Sequence, residues 1–282
     1  MPLGPSWRVG DTHIRSVIES EQRWKWSWLL PDVDARWAGG IPWLAPYLDG
    51  DRMRVRVQAL VVETPDVRVL VDTGVGNHKP RSIPMFDHFE TDFWTDLVGA
   101  GLDAVDVVVN THLHVDHVGW NTMLADGRWV PTFPDARHLM VGTELEHARH
   151  LAGSSAYDDV LADSVDPVVE AGLSDLVAAD HVVADGVRLV PTPGHTPGHV
   201  SVRVESRGEV AIISGDMVHH PVQLVDPGIS SSGDDDPAEA VATREAALRR
   251  WSEEGALLIG SHFVDPVAGR LVAEGAGYRL EA

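Results

Sequence analysis

Short apolar runs rich in Val, Leu and Ile recur along the chain and are separated by Gly, Pro and Asp. Runs of this length, bounded by turn residues, are typical of β-strands. We predict strands at Val55–Val62, Val67–Val71, Val105–Val109, Val187–Val190, Val200–Val204, Val210–Ile213 and Leu257–Ile259. Stretches with helical character lie between some of them, at Thr91–Val98, Glu144–Leu151, Ala156–Ala162 and Pro237–Trp251. Both halves of the chain mix the two types, so the pattern predicts a mixed α/β protein.

The helix predicted at Pro237–Trp251 has the clearest start signal. Asp236 is a favourable N-cap, Pro237 suits the first helical position, and Glu239 stands at the third. The acidic run Asp234–Asp236 is therefore interpreted as a solvated loop that ends in this cap.

Polar residues follow five of the predicted strands at the point where each strand ends. After short turns rich in Gly, Thr, Ser and Pro, these strands lead to Asp72, His112, His195, Asp216 and His262. In layered α/β proteins the ends of the strands hold ligand-binding loops rigidly at one edge. We therefore expect these side chains to form one polar site at one edge of the sheets.

The segment from Thr111 to Gly119 reads THLHVDHVG and contains four potential metal ligands within six residues. In an extended segment, the alternate residues His112 and His114 point the same way and can reach one ion. The turn that follows directs Asp116 and His117 towards a second position. Imidazole and carboxylate ligands without sulfur suit Zn²⁺, Mn²⁺, Fe or Co²⁺.

In their order along the chain, these motifs resemble those of the metallo-β-lactamase superfamily. The matching segments are VDTG, HLHVDH, PGHTPGH, SGD and GSHF. The resemblance implies a four-layer αββα sandwich, which we predict as a single domain over residues 1–282. It also implies two divalent metal ions, one held by His112, His114 and His195, and the other held by Asp116, His117 and His262. In the same pattern Asp216 bridges both ions and Asp72 orients a ligand histidine.

The complete set of seven ligands resembles the dinuclear hydrolases of this superfamily, which include acyl-homoserine lactonases, methyl parathion hydrolase and glyoxalase II. The segments SGDMVHHPVQ and GSHF look most like the first two. The resemblance implies that a metal-bridging hydroxide opens a small lactone or ester, with acyl-homoserine-lactone-like substrates and Zn²⁺ favoured. Hydrolysis of organophosphate triesters or aryl esters is the main alternative. β-Lactamase-like, glyoxalase-II-like and iron oxidoreductase activities are further alternatives.

His219 marks a departure from the lactonase pattern. The lactonases carry a tyrosine three residues after the bridging aspartate, and this chain has His219 at that position. A histidine there is closer to the organophosphate-hydrolase pattern. Its imidazole could polarise a carbonyl oxygen or deliver a proton, and a plain structural role is the alternative. We take Asp116, Asp216 and His219 as the candidate catalytic residues.

Aromatic residues add a second feature near the N-terminus. Trp24, Trp26 and Trp28 alternate and are predicted to share one face of a strand. They belong either to the core or a subunit contact, or to an apolar wall over the metals. The histidines outside the candidate site are interpreted as surface or packing residues, and His199 is expected to begin or support the next strand.

Composition limits the partners of the protein. The 282 residues include 22 Lys+Arg and 43 Asp+Glu, a formal net charge of −21, and no concentrated basic patch is visible. Phosphate backbones would repel such a chain, so we expect a small-molecule substrate and no nucleic acid.

The absence of cysteine excludes disulfides, thiolate ligands and cysteine nucleophiles. No apolar run approaches the ~18–20 residues of a membrane span, and no secretory signal is visible. We expect no membrane partner, a cytoplasmic location and a homodimer.

Overall fold

The computed structural model describes residues 4–152 and 160–282. The described residues form strands β1–β17, which are Ser6–Val9, Thr12–Lys25, Leu48–Asp49, Arg52–Glu63, Arg68–Val71, Val107–Val109, Thr122–Ala125, Arg128–Pro131, Arg137–Val141, Ser174–Val177, Val182–Ala184, Val187–Pro191, Val200–Ser206, Glu209–Ile213, Leu257–Ile259, Ala268–Glu274 and Gly277–Glu281. Every strand predicted from the apolar runs is present, with ends that differ by at most three residues.

Helices α1–α7 of the described residues are Trp26–Leu29, Ala35–Gly39, Phe93–Gly99, Gly142–His150, Asp166–Glu170, Val222–Val225 and Pro237–Glu253. Short 3-10 helices lie at Pro42–Tyr47, Gly119–Asn121 and Gly215–Met217, and Leu161–Val165 forms a π-helical turn. The predicted helices near residues 91, 144 and 237 are confirmed. The one predicted at Ala156–Ala162 lies mostly outside the described residues. No helix among the described residues combines the length and apolar character needed to cross a membrane.

The chain divides into two compact units. The first comprises Met1–Ser20 and Val57–Ala179, and the second comprises Glu21–Arg56 and Asp180–Ala282. The long strands β2 and β4 each continue from one unit into the other. That the whole chain forms one domain stays a prediction.

In the first unit, the polar loops follow strands in the middle of a sheet. The sheet has the strand order β1-β2-β4-β5-β6-β9-β10, and β5, β6, β9 and β10 run parallel to one another. Because Val71 pairs with Val109, the loops that follow β5 and β6 begin side by side. Leu70 of β5 and Val108 of β6 belong to one buried apolar cluster, which also includes Trp120 and anchors both strands.

The second unit repeats this arrangement with a sheet ordered β11-β12-β13-β14-β15-β16-β17. Here β14 and β15 are parallel neighbours, and Ile213 pairs with Ile259 at their ends. The loops that contain Asp216 and His262 therefore start at the same edge. Helix α7 begins as predicted, since the Asp236 side chain accepts hydrogen bonds from the backbone N–H groups of Ala238 and Glu239.

The prediction for the tryptophans is wrong in one respect. Strand β2 ends at Lys25, and Trp26 begins the helical turn α1, which is closed by a hydrogen bond from the Leu30 N–H to the Trp26 carbonyl. Alternation over only three aromatic residues does not distinguish a strand from a strand that enters a helix. As a result Trp24 and Trp26 are buried, whereas Trp28 is 38 % exposed and meets Trp24 edge-on at 4.7 Å.

Candidate metal centre

The side chain of Asp72 organises the polar loops of the first unit. Its backbone has a φ of +59°, a left-handed conformation that turns the chain sharply at the end of β5. Its Oδ1 accepts a hydrogen bond from the Thr111 N–H at 2.8 Å, and its Oδ2 lies 2.8 Å from Nδ1 of His117. The contact expected between Asp72 and a candidate ligand histidine is present at His117, and the ligand role of His117 stays a prediction.

The four candidate ligands of the first unit lie together in the bends and turns that follow β6. The ring centroid of His112 is 4.6 Å from that of His114 and 4.1 Å from that of His117. His117 Nε2 is 3.8 Å from Oδ1 of Asp116. His112 and His117 are buried, whereas His114 and Asp116 are partly accessible. This segment is too irregular to be the extended strand that the alternation suggested, yet it brings the same four side chains together.

A buried carboxylate that the sequence did not single out connects the loop after β5 with Trp120, which follows the segment of candidate ligands. Glu19 accepts hydrogen bonds from the N–H groups of Val75 at 2.6 Å and Gly76 at 3.0 Å, and from Nε1 of Trp120 at 2.7 Å. Burial raises the pKa of Glu19 from 4.5 to about 7, and the nearby charge of Asp116 adds to the shift.

The backbone passes very close to itself at the same place. Gly119 donates its N–H to the Gly74 carbonyl at 2.7 Å. A Cβ at Gly119 would lie only 1.8 Å from the Val75 carbonyl oxygen, and a Cβ at Gly74 would meet the Glu19 carboxylate. Both positions therefore require glycine.

In the second unit the structure places three predicted histidines around the Asp216 carboxylate. Its Oδ1 lies 3.0 Å from Nε2 of His262. Its Oδ2 lies 3.4 Å from Nε2 of His195 and 3.2 Å from Nε2 of His219. The two oxygens of one carboxylate thus face different histidines, which is one of the arrangements by which a carboxylate can bridge two metal ions.

The remaining ring nitrogens of two of these histidines are held by hydrogen-bond acceptors. His195 Nδ1 lies 3.0 Å from Oδ1 of Asp234, and His262 Nδ1 lies 2.8 Å from the Arg56 carbonyl oxygen. Such contacts keep the proton on Nδ1 and leave Nε2 as the ligand atom. Burial lowers the pKa of His195 to about 4, against the opposing effect of Asp234, so the ring is in the neutral form that binds metals.

Asp234 corrects an interpretation made from the sequence. The acidic run was read as a solvated loop and a cap, and this holds for the exposed Asp235 and Asp236. The Asp234 side chain instead is fully buried, and it also accepts the Ser231 N–H at 2.8 Å. The role of Asp234 could not be recognised from the sequence, because an acidic residue two positions before a helix N-cap is ordinarily part of a solvated loop.

Three further histidines, His199, His219 and His220, lie close to these residues and differ in their contacts. His199 directly precedes β13 and supports its start, donating from Nδ1 to the Thr192 carbonyl at 3.0 Å, while its Nε2 accepts the N–H of Asp216 at 2.9 Å. The His219 ring is parallel to that of His262, with an interplanar angle of 3° and centroids 6.2 Å apart. His220 is a buried packing residue, and Trp26 meets it edge-on at 5.1 Å.

The donor chemistry of the candidate ligands in both units suits divalent metal ions. The structure shows His and Asp side chains that each offer a ligand atom for a metal, namely His112, His114, Asp116 and His117 in the first unit and His195, Asp216 and His262 in the second. Nitrogen and carboxylate oxygen suit zinc and similar ions. Three of the histidines also have the acceptor on the second ring nitrogen that accompanies metal-bound histidine in proteins.

The chain belongs to the metallo-β-lactamase superfamily, whose family model matches residues 52–262. The mixed α/β fold predicted from the motifs is confirmed as the fold of this superfamily. The structure of AidC, a dizinc quorum-quenching lactonase determined with a product, aligns with a TM-score of 0.79 at 18 % identity and covers 99 % of this chain and 96 % of that one. At this identity the likeness shows the fold.

Two relatives resemble the chain in sequence. A protein named "Probable metallo-hydrolase" from Mycobacterium tuberculosis is 30 % identical over 175 residues, which are 57 % of this chain and 56 % of that protein. An N-acyl homoserine lactonase from a Bacillus species is 25 % identical over 171 residues, which are 56 % of this chain and 61 % of the lactonase. The matched part thus spans little more than half the length of these relatives.

Proposed function

We propose that this protein is a dinuclear metal-dependent hydrolase that opens a small lactone or ester. The observation that carries the proposal is the Asp216 carboxylate, whose two oxygens face His262 and His195 separately at 3.0 and 3.4 Å. Family membership and the lactonase among the relatives support the reaction class. Zn²⁺ as the native metal, a cytoplasmic location and a homodimer accompany the proposal as predictions.

The proposal keeps the ligand assignment that the family resemblance implies. His112, His114 and His195 would hold one ion, Asp116, His117 and His262 the other, and Asp216 both. Two bound divalent ions would lower the pKa of a water molecule towards ~7 and stabilise negative charge on the substrate oxygen. Asp72, Asp234 and the Arg56 carbonyl keep three of the histidines in the tautomer that binds metal.

In this proposal His219 acts on the substrate. Its Nε2 lies 3.2 Å from Asp216 Oδ2, and its side chain is almost fully buried. An imidazole N–H there could donate a hydrogen bond to the developing oxyanion or a proton to the leaving oxygen. The same histidine keeps organophosphate triesters and aryl esters as the second candidate class, because it stands where the lactonases carry a tyrosine.

A substrate screen tests the proposal. Zinc- and manganese-loaded protein is assayed against acyl-homoserine lactones, aryl esters, phosphotriesters and a cephalosporin. We expect the highest kcat/KM on a lactone or ester, loss of that activity in Asp216→Ala, and normal activity in the matched control Asp185→Ala, which alters an exposed aspartate of the second unit. Turnover of phosphotriesters alone would select the second class, and no metal-dependent hydrolysis of any substrate would refute the proposal.

A further inference from the structure

Arg244 is a fully buried arginine on helix α7, in the second unit. A buried guanidinium is costly unless its N–H groups meet acceptors. Those of Arg244 do so: Nε donates to the Met217 carbonyl at 2.8 Å, and Nη1 donates to the carbonyls of Pro227 at 2.9 Å and Ile229 at 2.7 Å. One side chain thus fastens two separate loops to the helix.

Two of the groups around Arg244 lead directly to candidate metal ligands. Met217 follows Asp216, so the bond to its carbonyl fixes the turn that presents the Asp216 carboxylate. Arg244 Nη2 also lies 3.7 Å from Oδ2 of Asp234, whose other oxygen holds Nδ1 of His195. Arg244 therefore binds the residue that follows Asp216, and it reaches His195 through a single intervening side chain, Asp234.

The backbone of Asp216 is held on its other side as well. Its N–H donates to Nε2 of His199, which is fixed in turn by Thr192. With His199 bound to the N–H of Asp216 and Arg244 bound to the Met217 carbonyl, the short 3-10 turn at Gly215–Met217 has little freedom to rotate. A planar guanidinium suits this task, since it reaches several carbonyls in a fixed geometry that an ammonium does not reproduce.

We propose that Arg244 is a positioning residue that sets the metal affinity of the site by fixing Asp216 and, through Asp234, His195. This role rests on the proposed function, because it requires that Asp216 and His195 hold metal. It differs from a role in stability alone, because it predicts a change in the metal centre of the folded protein.

The test uses full-length protein carrying Arg244→Met or Arg244→Lys, and Arg250→Met as the matched control. Arg250 lies on the same helix, is exposed and pairs with Glu254. Zinc affinity is measured by competition with a chelator, and the visible spectrum of the Co²⁺-loaded protein reports ligand geometry. Circular dichroism identifies the variants that fold.

For the folded Arg244 variants we expect zinc affinity to fall by about 10–100-fold for at least one metal equivalent, with an altered Co²⁺ spectrum. Arg244→Lys should not restore either property, and Arg250→Met should match the wild type. Wild-type affinity and an unchanged spectrum in a folded Arg244 variant would overturn the inference and leave the proposed function intact. A wild-type protein that binds no zinc would overturn both.

If neither Arg244 variant folds, Asp234→Asn tests whether the connection from Arg244 through Asp234 to His195 affects zinc affinity. The substitution preserves size and removes the negative charge that links Arg244 to His195. We expect the same loss of zinc affinity, about 10–100-fold. An Asp234→Asn protein with wild-type affinity and Co²⁺ spectrum would exclude the connection from Arg244 to His195 and refute the proposal.

Discussion

Oδ2 of Asp72 lies 2.8 Å from Nδ1 of His117, although 45 residues separate the two in the sequence. Parallel pairing of β5 with β6 places their loops side by side, and the Thr111 N–H binds the other carboxylate oxygen. Asp72 therefore controls which nitrogen of His117 carries the proton, and it leaves Nε2 available to a metal.

Replacing Asp72 by Asn should weaken metal binding. The amide carries no charge to enhance the basicity of the His117 ring, so we expect zinc affinity to fall by about 10–100-fold for one equivalent. Chelator competition measures the effect, and Asp66→Asn, a change at an exposed position, is the control. Equal affinities in all three proteins would show that Asp72 has no influence on the metal.

The protein should bind two metal ions, and the second should depend on Asp216. Elemental analysis of zinc-reconstituted wild type should approach two equivalents per chain. Asp216→Ala removes the carboxylate that faces both His195 and His262, so its metal content and its turnover at limiting zinc should both fall. A firm ceiling of one equivalent in the wild type, or near-normal turnover in the variant, would contradict the bridging assignment.

His219→Ala should lower kcat by about tenfold or more, because losing one donor to developing negative charge is costly in a buried site. His219→Tyr should recover part of the loss on lactones, since the phenol also donates a hydrogen bond. Metal content, measured on the same preparations, should change little. An unchanged kcat in the Ala variant excludes a catalytic role, and a lost metal ion would make His219 a ligand.

Stability of the metal-free protein should fall in acid, partly because of His220. Its Nε2 donates to the Tyr47 carbonyl at 3.1 Å, its Nδ1 accepts the Val222 N–H at 3.2 Å, and burial lowers its pKa from 6.5 to about 4. Between these pH values the unfolded chain takes up a proton and the folded chain does not. The free energy of unfolding therefore decreases as the pH falls through this range.

The variant His220→Asn measures this contribution. Between pH 7 and pH 5, wild type should lose about 2 kcal/mol more unfolding free energy than the variant does. Denaturant titrations of the metal-free proteins measure the difference, with the exposed His150→Asn as control. Parallel pH profiles for wild type and His220→Asn would mean that His220 titrates normally in the folded state.

The sequence predicts the elements and the loops of the candidate site well, for a physical reason. Buried strands need continuous apolar runs. Each of these runs ends directly before Asp72 or before a short turn that leads to His112, Asp216 or His262. A cap such as Asp236 acts on its own neighbours, so local sequence identifies it. The structure places each of the four candidate site residues in the loop that follows its strand.

The supporting residues could not be predicted in this way, because their partners are distant in the chain. Glu19 meets Trp120 across 101 residues, and Asp234 meets His195 across 39. Neither carries a local signal, since buried polar groups are recognised only through the groups that satisfy them. The prediction for the tryptophans failed for a different reason, because three residues are too few to establish a periodicity.

The close approach of Gly119 to the Val75 carbonyl restricts which substitutions the protein can accept near the candidate ligands. Any mutant library that varies the loop after HLHVDH will lose the members with a side chain at 119, and a larger residue at 74 would displace the Glu19 carboxylate. Diversity is better introduced at Trp28, which is 38 % exposed and has room to change. Positions 74 and 119 should therefore be kept as glycine in any such library, and the variation should be placed elsewhere.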